Sequence, residues 1–150
     1  MNARIQRDVV KLAARNHRPH WKTTSVVSVQ TRAAQFISRE WQVAVKDSFK
    51  ERFSVEYPVG GGFKEKIDLV DLQDAVAYEL KVSKNNTHFE FYRDIFKVAV
   101  HNAHSPRWKI KKLVFITPAE GAKKLRTGYG NAVRALVEKQ HSIEVEVCGI

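Results

Sequence analysis

Apolar residues recur every three or four positions in four stretches of the chain, which is the spacing of amphipathic helices. In the longest stretch, Ile37, Trp41 and Ala44 share one face, and charged residues fill the other positions. Pro19 argues against a first helix that continues beyond it. The predicted helices cover about residues 4–16, 29–53, 89–101 and 118–140, the last being interrupted around residues 128–130.

Five shorter stretches alternate or concentrate apolar residues as β-strands do. Gly60-Gly61-Gly62 predicts a chain reversal between the first two strands, and Gln73-Asp74 predicts a two-residue hairpin turn between the second and the third. A phosphate-binding glycine loop would lead directly into a helix, whereas strand residues follow this one. The predicted strands cover residues 54–59, 66–72, 75–83, 112–117 and 143–147.

The order of the longer elements is helix, three strands, helix, strand, helix, strand. This order predicts an α/β protein whose mixed β-sheet begins with an antiparallel N-terminal meander and continues with parallel strands joined by crossover helices. Helices on both faces of the sheet would give three layers. No repeat or flexible linker divides the chain, so we expect one domain over residues 1–150, with residues 1–28 as a basic N-terminal arm.

Strand alternation places charged residues of the second and third strands on one face of the predicted sheet. Glu79 and Lys81 are two positions apart and therefore project together. On the preceding strand, Asp68 is expected on the face opposite Ile67 and Leu69, and so on the same face as Glu79. Asp68, Glu79 and Lys81 are the candidate catalytic residues.

The length of the hairpin turn sets how close the two carboxylates come. A two-residue turn pairs Leu72 with Ala75, and counting outward places Asp68 directly opposite Glu79, with Cβ atoms about 5 Å apart. Two carboxylates this close repel each other unless a cation lies between them. A divalent metal ion is the candidate for that cation.

Phosphodiester hydrolysis needs these residue types. Asp68 and Glu79 supply the hard oxygen ligands that a catalytic metal ion prefers. Lys81 can stabilise the negative charge that develops on the phosphate, or help to orient and deprotonate the attacking water.

Ile67-Asp68, followed by Glu79-Leu80-Lys81, resembles the motif of the PD-(D/E)XK nuclease superfamily, which has the restriction-endonuclease-like fold. The resemblance covers about residues 30–117, although Ile67 stands where the family's namesake motif has proline. It implies a three-layer core and a DNA endonuclease that depends on Mg²⁺, with Mn²⁺ as a possible substitute. Restriction-type cleavage of duplex DNA is the first expected role, and Holliday-junction resolution or DNA repair is the alternative.

Many members of this superfamily add an acidic metal ligand from the first core helix. On a helical wheel Glu40 falls within the apolar stripe near Ile37 and Ala44, which is an unfavourable place for an unpaired carboxylate. Glu40 is therefore the first choice for the third ligand. Glu51 also falls near the stripe, but it lies close to the helix end, where it could reach solvent.

Polar and basic residues after the third strand are candidate contacts to DNA phosphates. The competing interpretation is an ordinary helix surface with a short cap formed by the two asparagines. The candidate nucleic-acid-binding residues are Lys84, Asn85, Asn86, Arg93 and Lys97.

The charge of the chain favours a polyanionic partner. Its formal net charge is +10, from 26 Lys and Arg against 16 Asp and Glu. Residues 1–25 and 105–130 are strongly basic, with Asp8 and Glu120 as their only acidic residues, so carboxylates are concentrated in the middle. DNA is the expected partner, and because cutting both strands commonly needs two active sites, we expect a homodimer.

Other features of the composition narrow the class of protein. The chain has no apolar stretch approaching the roughly eighteen residues of a membrane span, and its start lacks the apolar segment of a secretory signal. We expect a soluble, cytoplasmic protein with no membrane partner and no small-molecule cofactor. Cys148 is the only cysteine, which excludes an internal disulfide and a thiolate metal cluster.

Two interpretations of another class stay open. A non-catalytic nucleic-acid-binding module would explain the charge but not the carboxylates near Lys81, and an inactive nuclease fold that binds a partner predicts neither metal binding nor cleavage. The pairs His17-x-x-His20 and His101-x-x-His104 lack further ligands for a metal and are expected to be surface histidines.

Overall fold

The computed structural model describes residues 1–19, 25–83 and 85–150. A five-stranded mixed β-sheet forms the middle of the molecule, with strands in the order of the sequence. The first strand pairs with the second and the second with the third in antiparallel fashion, whereas the third pairs with the fourth and the fourth with the fifth in parallel. The expected mixed α/β sheet and the parallel arrangement of its later strands are therefore confirmed. The strands are β1 (Phe53–Pro58), β2 (Lys66–Asp71), β3 (Val76–Leu80), β4 (Lys112–Thr117) and β5 (Glu144–Gly149).

The helices follow the apolar periodicity of the sequence. Each predicted helix is present, with ends displaced by a few residues, and the predicted interruption around residue 128 separates the last two helices. The second helix ends in a short 3₁₀ turn over Lys50–Arg52. The helices are α1 (Ala3–Asn16), α2 (Val27–Phe49), α3 (Thr87–His104), α4 (Ala119–Leu125) and α5 (Gly128–His141).

Helices cover both faces of the sheet. On one face α1 and α2 pack against Leu69, Val76 and Tyr78, and on the other face α3, α4 and α5 pack against Val70 and Ala77. We call these the α2 face and the α3 face. Every helix in the described ranges is too short or too polar to cross a lipid bilayer.

The segment expected as a basic arm contributes a helix to the core. Val9 and Ala13 of α1 are fully buried, and the indole Nε1 of Trp41 donates a hydrogen bond to the carbonyl of Val9 at 3.1 Å. The apolar side of α1 therefore packs on the α2 face of the sheet.

The β2–β3 hairpin has the predicted register but a different turn. Asp71 pairs with Val76, and Leu69 pairs with Tyr78, which is the register that a two-residue turn would have given. The turn instead takes four residues, Leu72 to Ala75, and Ala75 adopts a left-handed φ of 56°. Asp71 stabilises it, because its Oδ1 accepts hydrogen bonds from the backbone N–H groups of Gln73 and Asp74, at 3.0 and 3.2 Å.

Arg52 fixes the same turn from outside. Its guanidinium donates to Asp71 at 2.7 and 3.0 Å, to Asp74 at 2.7 Å and to Gln73 at 2.9 Å. Asp71 is almost completely buried, so the guanidinium supplies the counter-charge that this carboxylate needs. The cluster joins the start of β1 to the hairpin that carries the candidate site.

Candidate active site

Strands β2 and β3 separate at the two candidate carboxylates. Their last ladder pair is Leu69 with Tyr78, one residue before the position where Asp68 would face Glu79. Beyond that pair, a carboxylate oxygen of Asp68 accepts a hydrogen bond from the backbone N–H of Leu80 at 3.0 Å. A side chain thus replaces a backbone carbonyl as acceptor, and the carboxylate is held at the point where the strands part.

The strand alternation of β2 is irregular at this point. Leu69 packs on the α2 face, as expected, but Ile67 packs on the α3 face, so the expectation that Asp68 lies opposite both residues was wrong for Ile67. The pairing of β1 with β2 places Glu56 beside Asp68, and Glu56 has a left-handed φ of 50°. This distortion of the edge strand coincides with the loss of alternation.

Lys97 of α3 reaches the carboxylates from the α3 face. Its Nζ lies 2.6 Å from Oε1 of Glu79 and 2.8 Å from Oδ1 of Asp94, and it donates to the carbonyl of Lys66 at 2.9 Å. The side chain of Lys97 is only 9% exposed, and Glu79 and Asp94 are also buried. We call Asp68, Glu79, Asp94 and Lys97 the carboxylate cluster.

The carboxylate cluster carries more potential negative charge than one ammonium can balance. Burial, together with the charges of Asp68 and Asp94, raises the pKa of Glu79 well above its usual value. Burial also raises the pKa of Asp68, and it raises the pKa of Asp94 to about 6. Burial alone would lower the pKa of Lys97, but the neighbouring Glu79 and Asp94 outweigh it and raise that pKa. A further cation at this place would therefore be favoured.

Oε1 of Glu79 already has a cationic neighbour. This oxygen is buried, and the ammonium of Lys97 lies 2.6 Å away, so the two groups form a buried ion pair. The surroundings of Glu79 therefore already hold positive charge.

The carboxylate cluster lies in an open cleft of about 560 Å³. Lys81 lines this cleft two residues beyond Glu79, and its backbone N–H donates to the carbonyl of Ile116 at 2.8 Å, which anchors the end of β3 on β4. The structure therefore brings Asp68, Glu79 and Lys81 together as predicted. Helix α2 contributes Ala34, Gln35 and Ser38 to the wall, and α3 contributes Glu90 and Arg93.

The structure does not bring Glu40 or Glu51 to this cleft. Glu40 pairs with Arg18 at 3.0 Å, and Glu51 is 96% exposed beside Lys46 at 3.5 Å. The cleft-lining residues of α2 lie earlier on the helix, and the third carboxylate comes from Asp94 of α3. A carboxylate inside the apolar stripe of a helix was the signal that favoured Glu40 on α2. The same signal, applied to α3, could have indicated Asp94.

The candidate DNA contacts have different surroundings. Lys84 lies outside the described residues. Asn85 and Asn86 are exposed, and Asn86 is the N-cap residue of α3 with a left-handed φ of 54°. Arg93 is half-exposed in the cleft wall, 3.7 Å from Glu90. A surface role for Lys97 does not fit its burial among carboxylates.

One expected surface histidine is in fact buried. His101 has an Nδ1 3.3 Å from the carbonyl of Val59, and its ring packs against Tyr57 and Trp108. His104 meets the ring of Phe63 edge-on. Tyr57 and Phe63 come from distant segments, so sequence spacing could not reveal these contacts.

The donor set of the cleft suits a magnesium-type ion. Such ions prefer oxygen ligands and are commonly held by one or two carboxylates, with phosphate and water completing the coordination. Asp68 and Glu79 provide two neighbouring carboxylates, and Asp94 adds a third, around the single buried ammonium of Lys97. Within the described ranges, no group of three or more His, Cys, Asp or Glu side chains is arranged to hold a metal ion by itself.

The chain has no match among protein-family models, curated proteins or solved structures.

Proposed function

We propose that this protein is a metal-dependent nuclease with a restriction-endonuclease-like core that hydrolyses phosphodiester bonds in DNA. The observation that carries the proposal is the meeting of Asp68 and Glu79 where two strands part, with Lys81 lining the same cleft. An exposed structural sheet has no need to bury like charges together, whereas a site that holds a cation does.

Asp68 and Glu79 would hold Mg²⁺, with Mn²⁺ as a substitute. When bound, such an ion polarises the phosphate and lowers the pKa of a water molecule. The backbone N–H of Leu80 fixes one oxygen of Asp68, which keeps that carboxylate directed into the gap between the strands. The excess of carboxylates over ammonium groups supplies the attraction for the ion.

The two lysines of the cleft would have different tasks. Lys81 lies at the cleft surface, where its point charge can stabilise the reacting phosphate. Lys97 lies deeper and ion-pairs with Glu79 and Asp94, so it acts as a positioning residue that holds the Glu79 carboxylate in place. The net charge of +10 would attract the polyanionic substrate.

The test is incubation of the purified protein with supercoiled plasmid, linear duplex and a four-way junction, with Mg²⁺ or with a chelator. We expect strand cleavage with Mg²⁺ and none with the chelator. The cleavage rate of Lys81→Ala should be lower by about a hundredfold. Lys139→Ala, an exposed lysine on α5, is the matched control and should cleave like the wild type.

Cleavage that continues in the chelator, or that is equally fast in Lys81→Ala, would contradict the proposal. DNA binding without cleavage of any substrate would favour the non-catalytic binding module. If both strands of a duplex are cut together, the protein should also sediment as the expected homodimer.

A further inference from the structure

A second concavity of about 620 Å³ lies beside the cleft, and its walls are mainly apolar, with four aromatic side chains among them. Three of its side chains are unusually exposed for their size: Phe63 at 52%, Phe89 at 70% and Phe96 at 68%. Large apolar side chains gathered on a surface commonly mark a binding site. We call this concavity the aromatic groove, and its apolar lining consists of Val59, Phe63, Phe89, Tyr92, Phe96 and Val100.

The aromatic groove is continuous with the cleft. Glu65, Arg93 and Lys97 line both concavities. Arg93 lies on α3 between Phe89 and Phe96, and its side chain is 55% exposed. A molecule that occupies the aromatic groove would therefore extend directly toward Asp68 and Glu79.

The chemistry of the groove distinguishes between possible occupants. Unpaired nucleotides offer flat base faces that stack on aromatic rings and phosphates that pair with arginine, and these are the two kinds of group that meet here. The bases of a continuous duplex are already stacked on each other and offer no such faces. The net charge of +10 favours a polyanionic occupant, and a second copy of this chain would offer Arg93 no phosphate.

We infer that the aromatic groove binds unpaired bases of the DNA substrate next to the bond that is cut, so that the substrate is single-stranded or carries a single-stranded segment. The inference rests on the proposed nuclease function and changes its expected substrate from fully paired duplex. Phe89 and Phe96 are the stacking residues, and Arg93 holds the phosphate between the groove and the cleft.

The test is binding of a fluorescent single strand of about 12 nucleotides and of the matching duplex, measured by anisotropy in the presence of a chelator. We expect the wild type to bind the single strand more tightly than the duplex. Phe89→Ala and Phe96→Ala should each weaken single-strand binding about tenfold and leave duplex binding unchanged. Phe36→Ala removes a ring from α2 that is also exposed, at 56%, and should change neither affinity.

Equal affinity for the two forms, or single-strand affinity that is unchanged in both groove variants, would overturn the inference. The same variants are examined by sedimentation: a wild-type dimer that becomes monomeric in Phe96→Ala with unaltered single-strand binding would show that a second copy occupies the groove, which also overturns it.

Failure of the inference and failure of the proposed function can be told apart. Binding is measured without a metal ion, so it does not depend on cleavage. Single-strand preference without any magnesium-dependent cleavage would refute the nuclease and retain the binding groove. Magnesium-dependent cleavage of duplex with no single-strand preference would refute the groove and retain the nuclease.

Discussion

Lys97 determines the charge balance of the cleft because it is the cation buried among the carboxylates. Its ammonium lies within 2.8 Å of both Glu79 and Asp94, yet Asp68 also belongs to the carboxylate cluster. If all three carboxyl groups were ionised, their negative charge would exceed the single positive charge of Lys97. Burial, together with that excess, raises the pKa values of the carboxyl groups, and the excess gives the cleft a capacity for another cation.

Replacement of Lys97 by Met should destabilise the protein most strongly at neutral pH. Without the ammonium, Glu79 and Asp94 would be buried with no ion-pair partner, and we expect the free energy of unfolding to fall by about 3 kcal/mol at about pH 7. Urea denaturation measures this change. Lys139→Met, at an exposed position on α5, should change the same quantity very little.

The loss of unfolding free energy in Lys97→Met should become smaller as the pH falls. The folded variant would bind protons at Glu79 and Asp94 more tightly than the unfolded chain does, because its carboxyl pKa values are raised further. A group with a raised folded pKa costs stability as the pH rises through that pKa, so the difference from wild type should be small below about pH 4. An equal loss at both pH values would attribute the effect to the packing of the lysine stem.

Residue-level predictions from the sequence succeeded where the determining contact is local. Asp68 and Glu79 lie on adjacent strands and Lys81 directly follows β3, so the register of the hairpin was enough to bring them together. The burial of Lys97 depends on how α3 packs against the sheet, which the helical period of α3 does not specify. From the sequence, Lys97 is therefore predicted as a surface contact to DNA, and its position in the carboxylate cluster is not predicted.

At the scale of elements, the β2–β3 hairpin is the part that positions the site. Its register places Asp68 and Glu79 at the same level, and the Arg52 cluster holds its turn. The register was predicted correctly, although the turn is longer than expected. No sequence feature predicts the left-handed φ of Ala75 or of Glu56. The conformation of Ala75 accounts for the longer turn, and that of Glu56 accompanies the irregular alternation of β2.

Replacement of Arg52 by Met should weaken the hairpin. The Asp71 carboxylate is 1% exposed, so removal of its guanidinium partner leaves a buried charge without compensation, and we expect a loss of about 3 kcal/mol in the free energy of unfolding. Arg39→Met on the exposed side of α2 is the control. A loss below about 1 kcal/mol would mean that the cluster behaves as an ordinary surface ion pair.

At the scale of the molecule, helix and strand periodicity was sufficient for the α/β class and for the order of elements. The sheet is covered on both faces, and the basic first segment is part of that cover because Val9 and Ala13 are buried. Its positive charges predicted a basic N-terminal arm, and the apolar side of α1 packs that arm against the rest of the domain. The juxtaposition of the cleft and the aromatic groove joins β2, β3 and α3, and could not be predicted without their packing.

The cleavage rate of Glu79→Gln decides whether the carboxylate cluster is a reacting centre. The substitution keeps the size of the side chain and removes its charge, and Glu138→Gln makes the same change at an exposed position on α5. With equal Mg²⁺ and supercoiled plasmid, Glu79→Gln should lose at least about a hundredfold in rate, because a metal ion's contribution is several kcal/mol. Glu138→Gln should match the wild type. A folded Glu79→Gln protein that cleaves within about twofold of the wild-type rate, a difference of under 1 kcal/mol, would contradict the assignment.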